Sequence, residues 1–265
     1  MRLVAVCAVA SVMTIGSAAV LAQDPVKVDP AHYKVVLENA AVRVLNITYG
    51  VGEKSSMHQH PESIAVALSA ASARFTLPDG KTQDSELASE TALYMPAGAH
   101  SPANIGKSSF RIIQVEFKAA APGKAAVVPP SRPGIETKTL AEGARATAYR
   151  STAAADFAEP AGSTHELDQI IIALGPGQLT LSREGQPAKT NWVRGDVEFI
   201  GRGVKHETRN TGGKPLDFIL IAIKSGGHLR RCTICCWMRA RSTLAFISST
   251  SISSTRSCAS RSSTW

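Results

Sequence analysis

His58 and His60 flank a single residue in the run Gly52-x5-His58-Gln59-His60-Pro61. On an extended strand successive side chains point to opposite faces, so the two imidazoles share one side with Cα atoms about 6.5–7 Å apart, close enough to chelate one ion. Forty residues on, Pro96-Ala97-Gly98-Ala99-His100 sets a tight turn before a third histidine, and Asn104 follows. No thiol competes for this chemistry. The five cysteines are Cys7, Cys232, Cys235, Cys236 and Cys258, so residues 23–227 have neither a disulfide framework nor a cysteine nucleophile.

Such residues need strands to hold them. Between residues 33 and 118 the β-rich runs are 33–37, 42–49, 64–68, 74–77, 92–95 and 110–117, punctuated by Pro78-Asp79-Gly80 and Pro96-Ala97-Gly98. No segment keeps helical periodicity for long, and short strands at this spacing predict an all-β sandwich or barrel. Residues 119–134, with Pro122, Pro129, Pro130 and Pro133, read as a semi-rigid linker. Beyond it the pattern returns. Ala41-Val42-Arg43-Val44 matches Gly143-Ala144-Arg145-Ala146, residues 64–68 match 170–174, and residues 100–118 align without a gap to 206–224. Two tandem copies over 23–118 and 135–226 are a duplicated domain, not a solenoid.

Taken together, the histidine segments resemble the two signature motifs of the cupin superfamily, the first carried by Gly52, His58 and His60, the second by Pro96, Gly98, His100 and Asn104. The resemblance covers most of both repeats and implies two tandem jelly-roll barrels, a bicupin, with both motifs converging on a divalent metal inside the barrel. It makes His58, His60 and His100 the metal ligands. Cupins usually add a glutamate a few residues after the second histidine. Here Ile64 or Ala65 stands at that place, and Glu62, which shares the strand parity of His58 and His60, is the candidate additional ligand.

Three neutral imidazoles leave an ion its full double charge and open positions, which suits an anionic chelating substrate. Such a site resembles those of cupin dioxygenases that cleave diketones or oxidise thiols, with Fe(II) favoured and Zn, Ni, Cu or Mn open. In the second repeat Ser163 replaces the first histidine and His165 holds the second, with Asp168 or Gln169 near the carboxylate position and His206 after Gly201-Arg202-Gly203. This degenerate set forms the candidate second site. Having lost a donor, it should bind weakly, so about one ion per chain is expected. Trp192 and Phe199 are expected to fill the second barrel or its mouth.

At the N-terminus, Arg2 and an apolar run precede Val20-Leu21-Ala22 and Gln23-Asp24-Pro25, which reads as a secretory signal peptide over 1–22 and a secreted or periplasmic protein. Residues 227–265 read as a disordered basic tail or an out-of-frame translation, with six arginines and no acid over 228–265. Setting aside those arginines and Arg2, the formal charge of +8 falls to +1 over residues 23–227. That leaves no basic stripe for nucleic acid. The expected partner is a small anionic or chelating molecule, with no nucleic acid and no membrane after signal cleavage, and the protein is expected to be a monomer or homodimer. The expected function is that of a small-molecule dioxygenase or related metal-dependent oxidoreductase. The alternative is a non-catalytic cupin that binds or stores a small ligand.

Overall fold

The computed structural model describes residues 23–118, 132–184 and 186–224; the expected signal peptide, most of the linker and the tail lie outside the described residues. After a one-turn helix, α1 (Pro25–Val28), nine strands follow: β1 (Tyr33–Glu38), β2 (Val42–Tyr49), β3 (His58–His60), β4 (Ser63–Ala67), β5 (Ala71–Thr76), β6 (Thr82–Leu87), β7 (Ala92–Met95), β8 (Gly98–Asn104) and β9 (Phe110–Phe117). Nine more repeat them: β10 (Ile135–Glu142), β11 (Ala146–Ala153), β12 (Ala158–Ser163), β13 (Asp168–Ala173), β14 (Gly177–Arg183), β15 (Lys189–Trp192), β16 (Val197–Ile200), β17 (His206–Asn210) and β18 (Leu216–Ile223). The first nine form a five-stranded sheet in the order β1-β2-β9-β4-β7 and a four-stranded sheet in the order β3-β8-β5-β6. The second nine form β10-β11-β18-β13-β16 and β12-β17-β14-β15, the same order strand for strand.

The alternation of side chains explains why the long strands are apolar on both faces. In β9, Phe110 and Ile112 point into the first barrel with Leu45, Ile47 and Tyr49. Ile113, Val115 and Phe117 point the other way, into a shared core with Ile170, Ile172, Ile219 and Ile221 of the second barrel. Both five-stranded sheets therefore bury their outer faces against each other, and neither repeat covers that face alone. A polar rim closes the seam. Glu90, at φ 63°, is clamped by Arg150 Nη1 at 2.6 Å and Arg194 Nη1 at 2.8 Å, both from the second repeat. A non-glycine residue in the left-handed region is strained, and here two cationic partners hold it in place.

The duplication is real, but one segment of the expected alignment is displaced by two residues. Val42 pairs with Phe117 and Ala146 pairs with Ile223, so Val42 corresponds to Ala146, not to Ala144. The hairpin hydrogen bonds agree, Asn39 N donating to the Val42 carbonyl and Gly143 N to that of Ala146, both at 3.0 Å. A shift of two preserves which face each residue occupies, so the sequence pattern alone does not detect it. Trp192 fills the second barrel as expected, its indole N–H donating to the Leu179 carbonyl at 2.6 Å, whereas Phe199 packs on the shared core between the barrels.

Removing buried volume at that shared core should destabilise the whole molecule. Ile113→Ala is expected to cost about 2–5 kcal/mol in chemical denaturation, against a few tenths for Val35→Ala on an exposed strand face. Equal effects would mean that the inter-barrel face is not the core.

Candidate metal centre

The pairing of β3 with β8 sets His58 directly opposite His100, and His60, two residues on, shares their face. The three rings form a near-equilateral triangle, with centroid separations of 5.0 Å for His58–His60, 5.1 Å for His58–His100 and 5.2 Å for His60–His100. One ring nitrogen from each lies within 4.8 Å of the others. Their tautomers are set from behind. His58 Nδ1–H donates to the Ser56 carbonyl at 2.8 Å, and His60 Nδ1–H donates to Glu116 Oε1 at 2.7 Å. Each Nε2 thus carries the lone pair, the tautomer in which imidazole binds a metal, and that of His58 is met by the neutral Tyr33 hydroxyl, which an ion would displace.

Glu116 comes from β9, where it shares the inward face of Phe110, Ile112 and Gln114. Arg43 Nε donates to its other oxygen at 2.6 Å, and Arg43 Nη1 reaches Asp24 Oδ2 at 2.5 Å, so a chain of charges orients His60 from the barrel wall. Sequence reasoning missed Glu116 although a charge at a buried strand position was visible. Glu62, the candidate additional ligand, is half-buried with Arg145 Nε 3.8 Å away and does not join the three histidines, because Pro61 separates β3 from β4. Asn104 is a turn clamp. Its Nδ2 donates to the Gly50 and Ser108 carbonyls at 2.9 Å, and Asn210 repeats this in the second barrel with Ala154 and Lys214 at 2.8 Å.

Burial, and then the neighbouring imidazoles, push the pKa of His100 down to about 3. Burial, with a further contribution from His60, holds His58 at about 4. Both rings are therefore neutral over the physiological range, as coordination requires. The donor set fits a divalent ion of borderline softness. Beside it opens a cavity of about 420 Å³, lined by His60, His100 and Tyr33 and by apolar residues such as Ala73, Phe75, Leu87 and Ile112, with no Lys, Arg, Asp or Glu among the described residues that line it. The Tyr33 hydroxyl lies 2.9 Å from His58 Nε2 and accepts from the Tyr49 hydroxyl at 2.9 Å.

The second barrel gathers a different trio: Glu159, His165 and His206. Asp168 is not part of it, since its carboxylate caps the Gly201-Arg202-Gly203 turn and accepts from Arg202 N at 2.7 Å. Gln169 lines a small cavity of about 50 Å³ together with Glu159 and His165. Ser163 opposes His206 across β12 and β17 as His58 opposes His100, but its hydroxyl donates to the Pro160 carbonyl. Glu159 enters from the position that Ser55 holds in the first barrel, as the pairings of Lys54 with Ala103 and of Ala158 with Arg209 show. No motif in the sequence marks it.

Two measurements check the first centre. Replacing His60 or His100 with Ala should remove most of the bound metal by elemental analysis, while Glu62→Ala leaves it unchanged; Glu116→Gln should weaken affinity about 10–100-fold by releasing His60. In the metal-free protein, unfolding restores ordinary pKa values to His58 and His100. The unfolded state thus binds up to two more protons as pH falls below about 6.5, and stability should drop from there toward pH 4. His58→Asn should flatten that slope in thermal melts; an unchanged slope would show that His58 is not buried neutral.

No family model and no curated protein matches the sequence. Solved structures do match the fold. AerE from Microcystis aeruginosa superposes with a TM-score of 0.54 at 16% identity, covering 73% of this chain and 98% of that one. A salicylate 1,2-dioxygenase variant from Pseudoaminobacter salicylatoxidans gives a TM-score of 0.50 at 11% identity, covering 69% of this chain and 71% of that one. An oxalate decarboxylase gives a TM-score of 0.50 at 12% identity, covering 73% and 72%. Identities this low speak for architecture alone, and together with the doubled strand order they establish that this chain has the two-domain cupin fold.

Proposed function

We propose that the protein is an exported metal-dependent oxygenase acting on small chelating molecules with an apolar body. The observation that carries this reading is the triangle of neutral imidazoles opening onto a roomy cavity without charged walls. His58, His60 and His100 would hold a divalent ion, Fe(II) the favoured one, which would supply a Lewis-acidic centre with positions open to a chelating substrate and dioxygen. The chain's own groups do the rest. The apolar walls exclude water and accept an alkyl or aromatic body, and the Tyr33 hydroxyl, steadied by Tyr49, is a proton donor at the edge of the centre. Burial keeps that phenol protonated, with its pKa raised well above the ordinary value.

The uncharged lining also selects among substrates. A small dicarboxylate such as oxalate has no apolar body to bury against these walls, whereas a β-diketonate or hydroxyaromatic acid would chelate the metal and fill the cavity with its alkyl or aromatic part. The name of the salicylate 1,2-dioxygenase that shares this fold describes a substrate of the latter kind. One observation favours a second reading. Among the described residues no carboxylate lines the cavity to serve as a general base, which suits a protein that only captures a chelating ligand. Export rests on the apolar leader and on the absence of cysteine from residues 23–227.

Oxygen consumption by the Fe(II)-loaded protein separates these readings. Uptake is expected with apolar β-diketones or hydroxyaromatic acids and not with oxalate, and His60→Ala should abolish it. Tight calorimetric binding of the same compounds without oxygen uptake would establish the capture reading instead.

A further inference from the structure

The two barrels use the same three residue types, histidine, glutamate and arginine, in opposite order. In the first, the arginine stands behind the glutamate, and the glutamate behind His60, so no cation meets a lone pair facing the centre; only the neutral Tyr33 hydroxyl reaches one, that of His58 Nε2. In the second, Arg132 comes forward to the histidine itself. It sits at a tight turn made by Pro133 and Gly134 (φ 77°), where Ile135 N donates to the Arg132 carbonyl at 3.1 Å and Ala154 N to that of Gly134 at 2.7 Å. From there Arg132 Nη2 lies 2.5 Å from His165 Nδ1, and Nη1 lies 3.4 Å from His165 Nε2 and pairs with Glu159 Oε1. The other oxygen of Glu159 is 3.3 Å from His206 Nε2.

A guanidinium has five donors and no lone pair, so the nitrogen of His165 that it touches must be the acceptor. That is an electron pair a metal would otherwise take. The one carboxylate of the cluster is likewise engaged, shared between Arg132 and His206. A divalent ion brought here would face a fixed positive charge at hydrogen-bonding range in a buried, poorly screened place. We propose that Glu159, His165 and His206 form a latent divalent-metal site in which Arg132 stands as the built-in cation, and that this one side chain keeps the second barrel free of metal. The site goes beyond the chemistry assigned to the first barrel and does not depend on it.

The test counts ions as a difference between variants, using Zn(II) alone as the probe, with calorimetric titration and elemental analysis of the full chain. Arg132→Met, which keeps the bulk and removes the charge, should bind one more Zn(II) than the parent. The extra ion should vanish in Arg132→Met/His206→Ala, and Arg132→Lys should count as the parent does. His60→Ala reads the first barrel separately, so a failure there leaves the Arg132 difference intact. His206→Ala in the parent background should lose no ion. Loss of an ion in that variant, or a well-folded Arg132→Met with the parental count, overturns the proposal. Should Arg132→Met fail to fold, the His206→Ala count and Arg132→Gln decide by the same criteria.

Discussion

A neutral imidazole has one N–H and one lone pair, so the partner taken by one ring nitrogen decides what the other can do. The first barrel spends the Nδ1–H groups of His58 and His60 on the Ser56 carbonyl and on Glu116, and this turns both Nε2 atoms toward His100. The register of β3 and β8 brings the rings together, but the back-side partners make them a ligand set. The same rule read in the second barrel gives the opposite result, because there a guanidinium meets His165 at the front.

The backing groups depend in turn on the duplicated fold. Glu116 and Arg43 face each other across the β2–β9 pairing, in the middle of the sheet whose outer face packs on the other repeat. At the corresponding pair in the second barrel, Thr147 and Ala222 stand opposite each other, so neither the glutamate nor the arginine is present there. The second barrel has thus lost the device that orients a ligand histidine, while keeping the strand order, the asparagine turn clamp and a filled apolar interior around Trp192. Its interior volume is taken by side chains, leaving about 50 Å³ against about 420 Å³ in the first barrel.

Much of this was legible in the sequence, for identifiable reasons. Strands β2 and β9 announce themselves because their apolar side chains are buried, and their bounds, like those of β7, coincide with the β-rich runs. Strand β6 went unseen because Thr82–Leu87 carries Gln83, Asp84 and Glu86 on a largely exposed edge, and β8 because Gly98 and Pro102 fall inside it. His58, His60 and His100 were readable from spacing and motif. Carboxylates were not: Glu62 and Asp168 were candidates from proximity along the chain, whereas Glu116 and Glu159 reach the two clusters through strand pairing. Contacts made across a sheet leave no local spacing to read. Arg132 was hidden by the same cause, lying in a proline-rich stretch read as a linker although its last residues form a turn against the second barrel.

Among the described residues, the first barrel alone brings three imidazole nitrogens together for a metal. X-ray absorption on the protein loaded with a single equivalent of Zn(II) tests it directly, because outer-shell scattering from imidazole rings counts histidine ligands. The account requires a shell fitted by three imidazoles with light oxygen donors, unchanged by His206→Ala and reduced by one imidazole in His58→Ala. A shell of oxygen donors with one imidazole or none, or one that changes with His206→Ala, would contradict it.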